Sequence, residues 1–139
     1  MTLPWTNKRL WRTLLCIYLA AVLFLCFGKF EPTDDIPSSF LGIPMDKIAH
    51  FLMFAPWVAL WLLACFYKAE INATGHLKGI FIALACGIAF AALTELGQGL
   101  SGYRSMEAAD LLSDSLGMIA GAIASVSFLI IQHKKKTRQ

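Results

Sequence analysis

The sequence predicts an all-α integral membrane protein, a four-helix bundle with its N and C termini both on the cytoplasmic side. Of its 139 residues 58% are hydrophobic and 15% charged, whereas an average soluble domain is about half apolar and about a quarter charged. Four apolar stretches approach the roughly 20 residues that a bilayer-spanning helix needs, and the basic residues gather on one side of them. The runs are continuous rather than alternating, and a membrane barrel needs many more segments than this length provides, so strands are a poor alternative.

By that length criterion the spans fall at about 13–30, 47–67, 79–100 and 111–131, forming one membrane domain over residues 1–139. Lys8, Arg9 and Arg12 ahead of the first run resemble the start of a signal peptide. Phe27, Gly28 and Lys29 then lead into an acidic loop without a small-residue cleavage site, so the segment is expected to stay as a span. The loop at 31–45 carries Pro32, Pro37 and Pro44 with three acids. It cannot be helical throughout and is expected to lie over the outer surface as an irregular cap. In the second span Pro56 lacks an amide proton and frees the carbonyl of Leu52, which allows a bend. Cys16, Cys26, Cys65 and Cys86 all sit inside apolar runs, where a thiol behaves as a small hydrophobe, and no disulfide framework or metal spacing is implied.

The orientation follows from sorting the 12 basic residues by the segment they flank. Lys8, Arg9, Arg12, Lys68, Lys78, Lys134, Lys135, Lys136 and Arg138 share one side, while Lys29, Lys47 and Arg104 lie on the other with Glu31, Asp34, Asp35, Asp46, Glu107 and Asp110. The first side is therefore cytoplasmic. Trp5, Trp11 and Tyr67 suit that interface, where amphipathic rings settle.

With this topology the outer ends of the second, third and fourth helices can meet. Asp46 and His50 are four residues apart and share one face, with His50 about 6 Å inside its helix start. Glu95 and Gln98 are three apart, and Glu95 lies about 7 Å below the outer end of the third helix. Asp110 and Asp114 repeat the four-residue spacing on the fourth. Six polar side chains are thus expected at one level, and ionisable groups at membrane depth face the protein interior and mark functional candidates. Arg104, in the short loop before Asp110, can clamp a carboxylate bidentately. Small residues identify the interior faces: Ala83, Gly87, Ala91, Glu95 and Gly99 form one row. Asp110, Asp114, Gly117, Gly121 and Ala124 form another, with a GxxxG spacing that lets a neighbouring backbone approach.

At these residues the chain resembles the VanZ-like family of small bacterial membrane proteins. The likeness rests on Asp46, Lys47 and His50 in a DKxxH pattern, Glu95 and Gln98 in ExxQ, Arg104 six residues before Asp110, and Gly117 with Gly121. Many members carry Asn where this chain has Asp114, so a carboxyl replaces an amide there. The family is named for a protein linked to reduced susceptibility to teicoplanin, a glycopeptide with a fatty acyl chain that targets cell-wall precursors. The resemblance implies a multi-pass protein of the bacterial cytoplasmic membrane with a context in the cell envelope.

Two functions from different classes fit. In one, the cluster binds or acts on an amphiphile such as a lipid-linked wall precursor or a lipoglycopeptide. His50, Glu95 and Asp114 are then the candidate catalytic residues, and Asp46, Gln98, Arg104 and Asp110 contact the ligand. His50 would serve as general acid or base, with Glu95 and Asp114 tuning it or holding a divalent cation; oxygen-rich ligands with one imidazole suit several metals. In the other, the chain is a non-enzymatic organiser of envelope proteins, and helix surfaces matter more than His50. Membrane lipids are expected partners in both, nucleic acid in neither. A proton-coupled transporter is a third class, but nothing ionisable lies deep in the cytoplasmic half of any span.

Overall fold

The computed structural model describes residues 7–29, 38–66, 73–102 and 105–137. Helix α1, Lys8–Phe27, begins where the Asn7 side chain accepts from the amides of Arg9 and Leu10 at 3.1 and 3.3 Å, satisfying donors that a helix start leaves open. It ends at Gly28, whose extended backbone leaves the helix while its N–H bonds Phe24 O at 2.7 Å. Its 20 residues rise about 30 Å, the thickness of a bilayer core.

Among the described part of the loop expected as an irregular cap, the chain instead makes a small hairpin. Strands β1, Ser39–Phe40, and β2, Ile43–Pro44, pair antiparallel. Leu41 and Gly42 turn between them with φ of 52° and 80°, and two positive φ values in a two-residue loop match the right-handed twist of the paired strands. Met45 N–H then donates to Ser38 O at 3.1 Å and starts the next helix.

The second span is not one continuous helix. Helix α2, Met45–Phe54, stops before Pro56; α3, Trp57–Trp61, resumes after it and runs into a π-helical turn at Leu62–Phe66. The missing proline amide explains the break, and Tyr18 of α1 steadies it by donating its hydroxyl to Met53 O at 2.6 Å. Helices α4, Ala73–Ser101, and α5, Ala108–Thr137, are unbroken and longer than the expected spans. A helix can continue into the interfacial layer beyond the roughly 30 Å apolar core, which sequence hydropathy does not register.

Among the described residues, four segments are long and apolar enough to cross a membrane: Lys8–Phe27, Met45–Cys65, Gly75–Ser101 and Ala108–Phe128. Their outward faces carry exposed Phe24, Phe81, Leu93 and Ile123, an arrangement that suits lipid and would be an aggregation hazard in water. All four cysteines are free thiols.

The core centres on Trp57. Its ring stacks on Phe90 and Trp61 with centroids 5.5 Å apart in each case and meets Tyr18 and Phe54 at tilted angles. Its indole N–H donates to Ala83 O at 2.7 Å. A Cβ at Gly87 would lie 2.6 Å from the Trp57 indole nitrogen, so the small row on α4 makes room for this ring. On α5 the glycines are tighter still: a Cβ on Gly117 would strike the carbonyl of Phe51, and one on Gly121 the carbonyl of Ala55. The GxxxG seam therefore packs against the backbone that leads into the proline break. Ala124 is exposed and lies off this seam, which continues instead through buried Met118 and Ala122.

Candidate functional site

The starts of α2 and α5 and the end of α4 converge, and their ionisable side chains form two tiers. The outer tier surrounds Lys47. Its ammonium pairs with Asp46 at 2.9 Å, with Glu107 at 2.6 Å, and with Asp110. Asp46 and Asp110 lie in the first turns of their helices, where the positive end of the helix dipole favours a carboxylate by about 0.3–1 kcal/mol. Glu107 precedes α5 directly: its carbonyl accepts the Asp110 amide at 3.0 Å and its carboxylate accepts the Ser105 hydroxyl at 3.2 Å. The hydrogen bond and charge of Lys47, with help from Ser105, hold the exposed Glu107 carboxyl below its ordinary titration range.

One turn deeper lie His50, Glu95 and Asp114. His50 Nδ1 is 2.9 Å from Asp114 Oδ1, and the His50 ring turns its Nε2 toward Asp110 Oδ2 at 3.8 Å, beyond hydrogen-bond length. Asp110 thus joins the tiers, one oxygen on Lys47 and the other facing His50. Glu95 Oε2 accepts the Glu107 amide at 3.2 Å, which ties α4 to the start of α5. Glu95 is 1% exposed and Asp114 0%. Among the described residues, Glu95 Oε1 and Asp114 Oδ2 have no hydrogen-bond partner, although nearly all buried polar atoms do.

Of the residues singled out in the sequence, His50, Glu95, Asp110 and Asp114 come together at this depth, and Asp46 joins from the outer tier. Gln98 is turned elsewhere: its side-chain N–H donates to Cys26 O at 2.9 Å, near the end of α1, where a helix leaves its last carbonyls to outside donors. Arg104 lies outside the described residues. Two participants were not among the candidates. Lys47 is three residues before His50, a spacing that shares a helix face, and that periodicity was the available signal; Glu107 stands just ahead of α5, where helical periodicity gives none.

Chemically, among the described residues, five carboxylates, from Asp46, Glu95, Glu107, Asp110 and Asp114, gather about one ammonium and one imidazole. Such a set can hold protons, bind a cationic or hydrogen-bonding head group, or ligate a metal.

A bundle of membrane-length helices with an ionisable cluster buried at one end defines a multi-pass membrane protein of the polar-site kind. The chain belongs to the VanZ/LLP1 family, whose family model matches residues 14–131. No curated protein and no solved structure matches it.

Proposed function

We propose that this chain receives the polar head of an amphiphile at the outer leaflet of a bacterial cytoplasmic membrane, with both termini in the cytoplasm, and that the amphiphile belongs to the cell envelope. A lipid-linked wall precursor or a lipoglycopeptide of the teicoplanin kind has this chemistry. The observation that carries the reading is the buried His50–Asp114 contact beside the partnerless oxygens of Glu95 and Asp114. Burying such polar groups without a partner is costly, so a ligand group that completes them is favoured.

Exposed apolar residues support the same reading. Phe40, Leu41 and Ile43 of the hairpin, Leu100 at the end of α4 and Met106 before α5 are all exposed at the end that holds the cluster. Exposed apolar side chains at the same end as a charged cluster suit a molecule with an acyl chain and a polar head. His50 is the candidate proton donor or acceptor, oriented by Asp114, if the bound molecule is also transformed.

The test compares teicoplanin and vancomycin susceptibility of cells expressing wild type, His50→Ala or Glu95→Gln at matched protein levels. Wild type is expected to shift teicoplanin susceptibility more than vancomycin susceptibility, and both variants to lose the shift while remaining in the membrane. Full activity in both variants would overturn the site reading and leave a non-enzymatic organiser of envelope proteins, acting through its helix surfaces.

A further inference from the structure

The inner tier has the composition of a metal site. We propose that His50, Glu95 and Asp114 bind one divalent transition-metal cation of the zinc or manganese kind. The proposal goes beyond the amphiphile reading and stands without it.

Geometry comes first. One ligand atom from each residue lies within 4.8 Å of the other two, and all three residues are buried. Metal–ligand bonds of about 2.0–2.2 Å place neighbouring ligand atoms roughly 3–3.5 Å apart. His50 Nδ1 and Asp114 Oδ1, 2.9 Å apart, are close to that spacing, and Glu95 offers its carboxylate within the same 4.8 Å limit. The free lone pairs of Glu95 Oε1 and Asp114 Oδ2 are the second observation, because a buried carboxylate oxygen without a donor is what a cation would satisfy.

Charge and surroundings agree. Two carboxylates with a neutral imidazole carry two negative charges, which a divalent ion cancels. The ligands also have the outer partners that metal sites use to orient their first ring of ligands. Glu95 Oε2 is held by the Glu107 amide, and His50, bound through Nδ1, directs Nε2 at Asp110, itself anchored by Lys47. A second acidic trio, Asp46, Glu107 and Asp110, is equally close-set, but the Lys47 ammonium pairs with all three and takes the place a cation would fill. One imidazole with two carboxylates favours zinc or manganese over calcium or magnesium, which prefer oxygen alone.

The test uses the full chain, purified in detergent through a tag without histidine, loaded with zinc or manganese, dialysed, and assayed for metal by mass spectrometry. Wild type is expected to retain about one equivalent of one of the two, as is the His76→Ala/His133→Ala double variant, while His50→Ala and Glu95→Gln lose retention. Asp110→Asn is expected to weaken affinity by about 10–100-fold without abolishing it, as changes to outer partners do. Wild type should also melt at a higher temperature with metal than after chelation, a readout that needs no variant to fold. Failure of wild type to retain either metal, retention by His50→Ala and Glu95→Gln equal to wild type, or a melting temperature indifferent to metal would each overturn the proposal. No amphiphile or susceptibility assay enters this measurement, so an empty site leaves the amphiphile reading standing. A metal-loaded protein whose His50→Ala variant keeps full activity in cells would overturn that reading alone.

Discussion

His50 Nδ1 and Asp114 Oδ1 meet at 2.9 Å across the seam between α2 and α5. The residue after His50 is Phe51, whose carbonyl lies where a side chain on Gly117 would be, and Gly117 is three residues beyond Asp114. The polar contact and the glycine seam are therefore one feature: α5 comes near enough for the imidazole and the carboxylate to touch because Gly117 has no Cβ.

Breaking this contact from either side should give effects that do not add. His50→Ala leaves a buried carboxylate without its partner, and Asp114→Asn keeps the shape but removes the charge. In a double-mutant cycle read from unfolding in detergent, a coupling of about 0.5–3 kcal/mol is expected for groups in direct contact. Strict additivity would mean that the two side chains do not interact in the folded protein.

The seam itself makes a second prediction. Gly121→Ala drives a Cβ into the backbone carbonyl of Ala55, whereas at Gly97 the obstruction is the far end of the Phe27 ring, 2.8 Å away. Phe27 is exposed and can swing outward; a backbone cannot. Gly121→Ala should destabilise by about 1–3 kcal/mol, in the range of overpacked cores, while Gly97→Ala stays within about 1 kcal/mol of wild type, helped by the better helix propensity of alanine. Equal melting temperatures for the two variants would contradict the packing.

Acid should loosen the outer tier. Lys47 holds the Glu107 carboxyl below its ordinary value of 4.5, so the stabilisation is complete above that value and disappears as the pH falls through the lowered one. The difference in melting temperature between wild type and Glu107→Gln should thus be largest at about pH 6 and shrink toward about pH 3. A difference that grows on acidification would reverse the assignment.

The orientation is open to direct mapping. Nine of the 12 basic residues flank one side of the spans, a bias that predicts the hairpin on the outer side of the membrane. In a variant with the native cysteines replaced, a cysteine at Ser38, which is exposed, should react with a membrane-impermeant thiol reagent in intact cells. Labelling only after lysis would invert the topology.

Much of this protein was legible in its sequence because the bilayer is a simple solvent. Backbone groups in hydrocarbon must be bonded within their own segment, so four long apolar runs could only be helices, and the short connection between α4 and α5 brings their ends together. Helical periodicity then placed His50, Glu95, Asp110 and Asp114 near one level. It also placed Gly117 and Gly121 on one face, but not what that face would meet.

What tertiary structure decided were the choices between neighbouring partners. Gln98 sits one turn from Glu95, and the position of the end of α1 is what draws it to Cys26. Lys47 was visible as an outer basic residue, but its pairing with three acids depends on how α5 docks against α2. The proline break was anticipated at Pro56; that Tyr18 steadies it and that Trp57 fills the space beside Gly87 depended on contacts between residues far apart in the chain. Local sequence determines which face of a helix a residue occupies, because that follows from a fixed rotation per residue. Which atom it touches depends on the separation and angle of two helices, and those are set by the sum of all the side chains between them.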